Sequence, residues 1–331
     1  MKEDEIRKTE LLDKFQKLVD EDIKEIFKDR DKWLNIACVA CGSRSSNIEF
    51  EKMGFKYRRC RNCDTLYVSP RPTIEELKTF YERGKSSIFW TEEFFPPVAE
   101  ARRQKIFKPR AEFVAKRLSG RGCKIADVGA GFGLFLDEIK KIIPDIKTFA
   151  IEPSPEQVEI CRRNGHDVFE GFLEEIEGEN LFDVVVCFDL LPHAFDPTDF
   201  FNKINAITKP KGWAFVTTLN GLGFDTLVMG RESKAISPPH LNFFNPASLG
   251  TLLQKCGFVN IAITTPGELD WDIVESAFLR NEIRLEKWWQ TVIRYANPAA
   301  KAKLQGWISS NNFSSYMWAI ANKTTKVQKN V

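Results

Sequence analysis

The sequence predicts an α/β fold: a sheet of seven strands with helices on both faces, preceded by a small cysteine-rich module. Three observations carry this. From residue 124 onward, short β-branched or apolar runs alternate with helical stretches, the pattern of a mostly parallel sheet covered on both sides. The first such run, "KIADVGAGFGLFLDEI", sets glycines at alternate positions between an apolar strand and an amphipathic helix. Upstream, two Cys-x-x-Cys pairs are separated by 18 residues.

In chain order, residues 6–29 place Ile6, Leu11, Leu12, Phe15, Leu18, Val19, Ile23 and Ile26 mostly three or four apart. This predicts an amphipathic helix packed on the protein's own body. Next come Cys38 and Cys41, then Cys60 and Cys63, with a β-rich excursion between the pairs. Each pair is followed by a small or turn-forming residue, and four thiolates delivered this way suit tetrahedral zinc in a closed, structural site. Loss of a ligand is expected to unfold the ribbon and spare the larger domain. Thr73, with Glu76 three residues on, predicts the start of a helix through a capping box. The aromatic, proline-stopped run "SSIFWTEEFFPP" (86–97) reads as a linker or lid, and a helix follows at about 98–118.

The strands of the sheet are read as "KIADVG", "KTFAIE", "HDVFEG", "FDVVVCFD", "WAFVTTL", "FVNIAITTP" and "SSYMWAIANK". Helices between them start near Leu134, Pro155, Glu174 and Thr198, with another at 246–256 and a long charged and aromatic insertion at 271–309. The resulting divisions are a helix over 1–34, a ribbon over 35–72, a linker over 73–118, a large domain over 119–323 and a tail over 324–331.

Composition narrows the function classes. Lys and Arg total 48 against 46 Asp and Glu, so the chain lacks the basic footprint of a dedicated nucleic-acid binder. No apolar run approaches the ~20 residues of a membrane span. The highly charged N-terminus is unlike a signal peptide and predicts a cytoplasmic protein. In that compartment the four clustered cysteines predict one metal site, and the four scattered ones isolated thiols.

The glycine turn decides the chemistry. A dinucleotide fingerprint, G-x-G-x-x-G/A, fails because its third glycine position is Leu134. What stands instead is Asp127, then Gly129-Ala130-Gly131-Phe132-Gly133. This resembles the first motif of the class I S-adenosylmethionine-dependent methyltransferases. The resemblance implies a Rossmann-like methyltransferase sheet with its last strand antiparallel. It implies S-adenosylmethionine held by Asp127, Gly129, Ala130, Gly131 and Gly133. Glu152, which ends the second strand 19 residues after Gly133, stands where an acid accepts from both ribose hydroxyls, with Pro153 beside it. Gly171, Phe172 and Leu173 match the adenine contacts, Phe172 as the stacking face, and Phe188 and Asp189 at the end of the fourth strand are also expected to bind the cofactor. Beyond it, His193, Asp196 and Pro197 match a Glu-His-x-x-Asp-Pro stretch whose Glu position holds Pro192.

Of three histidines, His166 opens the third strand and reads as an edge or surface residue. His193 and His240 lie on segments leaving the carboxyl edge of the sheet, where a histidine can take the acceptor's proton. They are the two candidate catalytic residues. The ribbon ahead of the domain is similar to that of bacterial methyltransferases of sugar and surface-polysaccharide pathways, implying a small-molecule, possibly glycosyl, acceptor. Two alternatives stay open: an RNA or protein methyltransferase with the ribbon as reader, and a non-catalytic S-adenosylmethionine-binding protein. Phe89–Pro97, the connection around His240 and the helices after Trp271 have no place in the minimal fold, and are expected to shape the acceptor site.

Overall fold

The computed structural model describes residues 2–118 and 122–324; the expected tail, beyond Thr324, lies outside them. The described strands in chain order are β1 (Ser46–Lys52), β2 (Phe55–Cys60), β3 (Leu66–Val68), β4 (Lys124–Val128), β5 (Lys147–Glu152), β6 (Asp167–Glu170), β7 (Phe182–Phe188), β8 (Thr208–Leu219), β9 (Asn242–Phe243), β10 (Phe258–Thr264) and β11 (Tyr316–Lys323). Two compact units emerge. The first comprises the described residues of Met1–Val98, Thr218–Leu249 and Thr264–Met317; the second those of Ala99–Thr217, Gly250–Ile263 and Trp318–Val331.

The second unit carries the seven-stranded sheet, in the order β10-β11-β8-β7-β4-β5-β6. It is mostly parallel, with the last strand in the chain antiparallel. All seven strands read from the sequence are present. β4 pairs in parallel with β5 on one side and β7 on the other, and β5 pairs with β6, β7 with β8. The strand order therefore reverses between β4 and β7, the switch point at which such sheets hold ligands against their carboxyl ends. The central strands are buried on both faces, which is why β4 and β7 read as near-continuous apolar runs. Ile125, Val184 and Val186 share one core with Phe135, Leu136 and Ile139 of helix Leu134–Ile142 and with Ala111 and Val114 of helix Lys108–Ala115.

The first unit is built on a four-stranded sheet, β1-β2-β3-β9. The N-terminal helix Thr9–Ile26 buries the side expected of it, Leu12 joining Phe89 and Phe94 in one cluster. Thr73 and Glu76 form the expected capping box on helix Ile74–Arg83. The run at 86–97, read as an irregular linker, is instead helical from Lys85 to Phe94. The cap that makes it so comes from far away in sequence. The Asp22 carboxylate accepts from the backbone N–H of Lys85 (2.9 Å) and of Ser86 (2.8 Å), and from the Ser86 hydroxyl (2.6 Å), satisfying donors that a helix N-terminus leaves open. The insertion expected over 271–309 forms three helices, Asp270–Leu279, Lys287–Tyr295 and Pro298–Ser310, around Trp271, Val274, Ile293 and Ile308.

Candidate functional site

β4 runs into the glycine turn, and backbone geometry explains each glycine there differently. Gly129, Gly131 and Gly133 all have positive φ (72°, 55° and 71°), a region that costs L-residues roughly 1–2 kcal/mol. At Gly133, which leads into helix Leu134–Ile142, a Cβ would stand 3.0 Å from Cys161 Sγ and 3.3 Å from His166 Cδ2. A side chain there would crowd both neighbours in addition to the strain of the positive φ. At Gly131 the nearest atom to a Cβ would be Gln157 Oε1, at 3.9 Å. The bare backbone at Gly131 therefore faces open space, as a ligand cradle requires.

Glu152, the last residue of β5, is tied to this turn. Its carboxylate accepts from the backbone N–H of Gly131 (2.8 Å) and of Ser154 (3.0 Å). Burial pushes its carboxyl up from the ordinary glutamate range, while those two backbone donors pull it down. Asp127 is more deeply enclosed; burial pushes its carboxyl well up, against the pull of Arg110, with Glu152 and Asp189 adding to the rise. Asp189 follows β7 in a left-handed conformation (φ 64°) and is held from two sides. Arg110 Nη2 donates to one oxygen at 2.9 Å and Thr217 Oγ1 to the other at 2.9 Å. The Arg110 guanidinium also lies over the Phe188 ring, 4.8 Å from its centroid, and Phe188 in turn meets Phe135 edge-on at 4.9 Å.

Arg110 is thus a buried cation paired directly with Asp189 and acting on Asp127. Arg110 was missed by the sequence reading. It sits mid-helix in "KPRAEF", at no position that a motif marks, and only the tertiary fold brings it to Asp189.

His166, expected at the surface, is buried. Its Nδ1 meets Thr148 Oγ1 at 2.8 Å and its Nε2 meets Asp137 Oδ1 at 3.0 Å. Asp137 also accepts from Arg103 at 3.0 Å. The histidine is turned inward by partners on β5 and on the helix after the glycine turn, so it buttresses that turn from behind. Burial pushes the Asp137 carboxyl up, but hydrogen bonds from His166 and Arg103 outweigh it and hold it below the ordinary range. Such a group adds stability above its unfolded pKa of ~3.9 and loses it as pH falls through the lower folded value. Unfolding free energy followed from pH 5 downward is therefore expected to drop more gently in Asp137→Asn than in the parent. Parallel acid limbs would contradict this.

The remaining sequence-predicted residues are placed as follows. Gly171 N–H donates to the Glu152 carbonyl at 3.1 Å, setting the end of β6 beside that of β5. Phe172 is half-buried, with its N–H on Glu175, and Leu173 is buried. Ala130 is half-buried and Pro153 exposed. His193 ends the short turn Leu191–His193 beyond β7 and is half-buried. His240 belongs to the first unit. There its Nδ1 lies 2.7 Å from the Ala235 carbonyl, which fixes that nitrogen as the protonated one.

The four cysteines converge. Cys38, Cys41, Cys60 and Cys63 bring their Sγ atoms within 4.8 Å of one another, with Cys38–Cys63 and Cys41–Cys60 at 3.5 Å. A tetrahedral ion with ~2.3 Å metal–sulfur bonds sets sulfurs about 3.8 Å apart, so the cluster fits one. The two halves repeat one turn. Gly42 N–H bonds the Cys38 carbonyl (2.8 Å) and Asp64 N–H that of Cys60 (3.1 Å); Cys38 and Cys60 N–H bond the carbonyls of Ser43 and Thr65. The ribbon is also fastened to the segment that follows β8. β3 pairs with β9, Asn245 Nδ2 donates to the Cys63 carbonyl (2.7 Å), and Arg71 donates to Asn242 Oδ1 (2.7 Å).

A family model described as a methyltransferase domain matches residues 98–263, half of the chain. The ubiquinone biosynthesis O-methyltransferase of Xanthomonas axonopodis pv. citri is 30% identical over 165 residues, 45% of this chain and 67% of that protein. Its counterpart in Xylella fastidiosa is 27% identical over 165 residues, 45% of this chain and 65% of its own. The chain thus spans about two thirds of the length of these relatives. Among solved structures, Haemonchus contortus phosphoethanolamine N-methyltransferase 2 in complex with S-adenosyl-L-methionine aligns with a TM-score of 0.50 at 17% identity. It covers 78% of this chain and 63% of that one, a likeness of fold.

Proposed function

Because this chain belongs to the methyltransferase-domain family and is an S-adenosylmethionine-dependent methyltransferase, we propose that it methylates a hydroxyl of a small-molecule acceptor. In this reading Glu152 and the glycine turn seat the cofactor, and His193 takes the acceptor's proton. The observation that carries it is the Glu152 carboxylate held by the N–H groups of Gly131 and Ser154. An ionised carboxylate has about four acceptor positions. Two are used by the backbone, and the other two suit the adjacent hydroxyls of a ribose.

Charge supports the same seat. Arg110 is paired with Asp189, whereas Glu152 is held by backbone N–H donors and by no side-chain cation among the described residues, so its end of the turn favours a ligand of net positive charge. S-adenosylmethionine, with an ammonium and a sulfonium against one carboxylate, is such a ligand, and when bound it supplies an electrophilic methyl group. The chain's own tasks are then to align the acceptor and remove its proton. A hydroxyl acceptor is favoured because the two relatives above are named as O-methyltransferases.

Loss of the Glu152 carboxylate removes charge-assisted hydrogen bonds worth about 2–3 kcal/mol. Calorimetry is expected to show Glu152→Ala binding S-adenosylmethionine about 30- to 150-fold more weakly, with thermal unfolding followed alongside to detect collapse of the turn. Unchanged affinity would remove Glu152 from the cofactor seat. The reading as a whole is tested with methyl-labelled cofactor against phenolic, glycosyl, RNA and protein acceptors. Label on a small-molecule hydroxyl is expected; label on RNA or protein, or binding without turnover, would overturn it.

We also propose that Cys38, Cys41, Cys60 and Cys63 hold one structural zinc ion, with all four tetrahedral positions taken by protein and none left for a substrate.

A further inference from the structure

We propose that the outward sides of helices Lys287–Tyr295 and Pro298–Ser310 dock on an anionic membrane surface, peripherally and without insertion of a span. The inference is independent of the acceptor assigned above. No helix among the described residues is long and apolar enough to cross a membrane, so any membrane contact by helices has to be lateral.

The two helices have conventional inner sides. Trp289, Val292 and Ile293 of the first and Leu304 and Ile308 of the second pack into one cluster with Trp271 and Val274. Their outer sides are not conventional. Trp288 is 68% exposed, Tyr295 80% and Trp307 56%, on helices whose buried sides are already filled. Trp288 and Tyr295 are two turns apart on one face, and Lys287 and Arg294 keep the same spacing beside them. On the second helix, Lys303 precedes Trp307 by one turn, on a face otherwise made of alanine, glycine and serine. Trp307 stacks on the exposed Phe313 ring (5.7 Å, 17°), which widens the apolar surface it offers.

Charge selects the occupant. The chain as a whole is nearly balanced, yet from Lys287 to Met317, the rest of this stretch of the unit, it contains no Asp or Glu. Glu286, at the head of the first helix, is the last acid. Exposed tryptophan and tyrosine flanked by lysine and arginine, on a helix that hides its other side in protein, are the composition of an interfacial surface. The aromatic rings suit the boundary between head groups and acyl chains, and the cations suit anionic head groups. Single-stranded nucleic acid is the competing ligand for aromatic and basic residues, but it is held along grooves that track its backbone. Here the rings stand on the outer sides of helices, and the alanine and glycine between them offer a base or phosphate no side-chain donor.

The test is co-flotation of the full-length protein with vesicles of phosphatidylcholine alone, or of phosphatidylcholine with phosphatidylserine. Retention is expected on the anionic vesicles only, weakening with salt as screening shortens the reach of the cations. The triple variant Trp288→Ala, Tyr295→Ala, Trp307→Ala, with unchanged circular dichroism and thermal unfolding, is expected to lose about tenfold or more in retention. Lys287→Glu with Arg294→Glu and Lys303→Glu is expected to lose the preference for anionic lipid. Failure of the parent protein to float, equal retention by the aromatic variant, or retention on single-stranded RNA without retention on vesicles would each overturn the proposal.

Discussion

Replacing Cys60 and Cys63 together by serine is expected to reduce bound zinc from one ion per chain to none, and to loosen more than the ribbon that carries them. Structural zinc contributes ~10–16 kcal/mol of apparent binding free energy in small modules, as much as the ~5–15 kcal/mol net stability of a typical domain. The sheet β1-β2-β3 has a buried side of its own, including Phe55, Tyr57, Leu66 and Val68, but its knuckle turns would be closed by the proposed metal. The loss is expected to spread along specific contacts. β3 is the only partner of β9 in the described sheet, Val68 N–H bonds the Leu241 carbonyl (2.9 Å), and Asn245 is anchored to the Cys63 carbonyl. Hydrogen exchange should therefore accelerate at 241–245 as well as at 38–68, both in the double variant and in the parent treated with chelator. Cofactor affinity is expected to persist, since Glu152 and the glycine turn belong to the other compact unit. Zinc retained by the variant, or unchanged protection at 241–245, would refute this account.

Damage beyond the ribbon follows from contacts that are not local in the sequence. The cysteine spacing identified the thiol cluster, because knuckle geometry is local: each pair and its turn lie within a few residues. The same reading expected damage confined to the ribbon. Nothing in "HLNFFNP" announces that two of its residues complete a sheet by pairing with a strand some 175 residues earlier, since pairing of short distant strands leaves no periodic trace. The central strands β4 and β7 of the larger sheet were legible because burial on both faces makes them near-continuous apolar runs. Glu152 was legible because its distance from the glycine turn is set by one strand-helix-strand unit.

Where the reading failed, a long-range polar contact decided the outcome. Asp22 turns residues 85–94 helical from 63 residues away. Asp137 and Thr148 draw His166 inward. Arg110 acquires its place from Asp189, which lies 79 residues on. Side-chain hydrogen bonds across such distances follow from the finished fold, so they become visible only with it.

His193→Ala is expected to lower turnover ~10²–10⁴-fold while leaving S-adenosylmethionine affinity within a factor of two or so of the parent, the range that removal of a general base gives. A phenolic hydroxyl has a pKa of ~10 and a glycosyl hydroxyl one that is higher still, so at neutral pH either reacts far better if a neighbouring base removes its proton as the methyl is transferred. An imidazole, ordinarily near 6.5, is neutral enough at pH 7 to accept that proton. His193 stands on the turn that leaves β7 beside the strand-order switch point, two residues beyond the end of the Asp189–Leu191 backbone that follows the strand. Pro192 and the buried Leu191 fix the turn on which it sits. A neutral base predicts a sign: the rate in the parent should fall as pH drops through the imidazole pKa, and that limb should disappear in His193→Ala. His240→Ala is the matched comparison. It belongs to the other compact unit, with its Nδ1 proton committed to the Ala235 carbonyl, and its loss is expected to be milder. Near-parent turnover with the acid limb intact in His193→Ala would exclude that residue as the base; the same result in both variants would leave alignment of the acceptor to account for the rate.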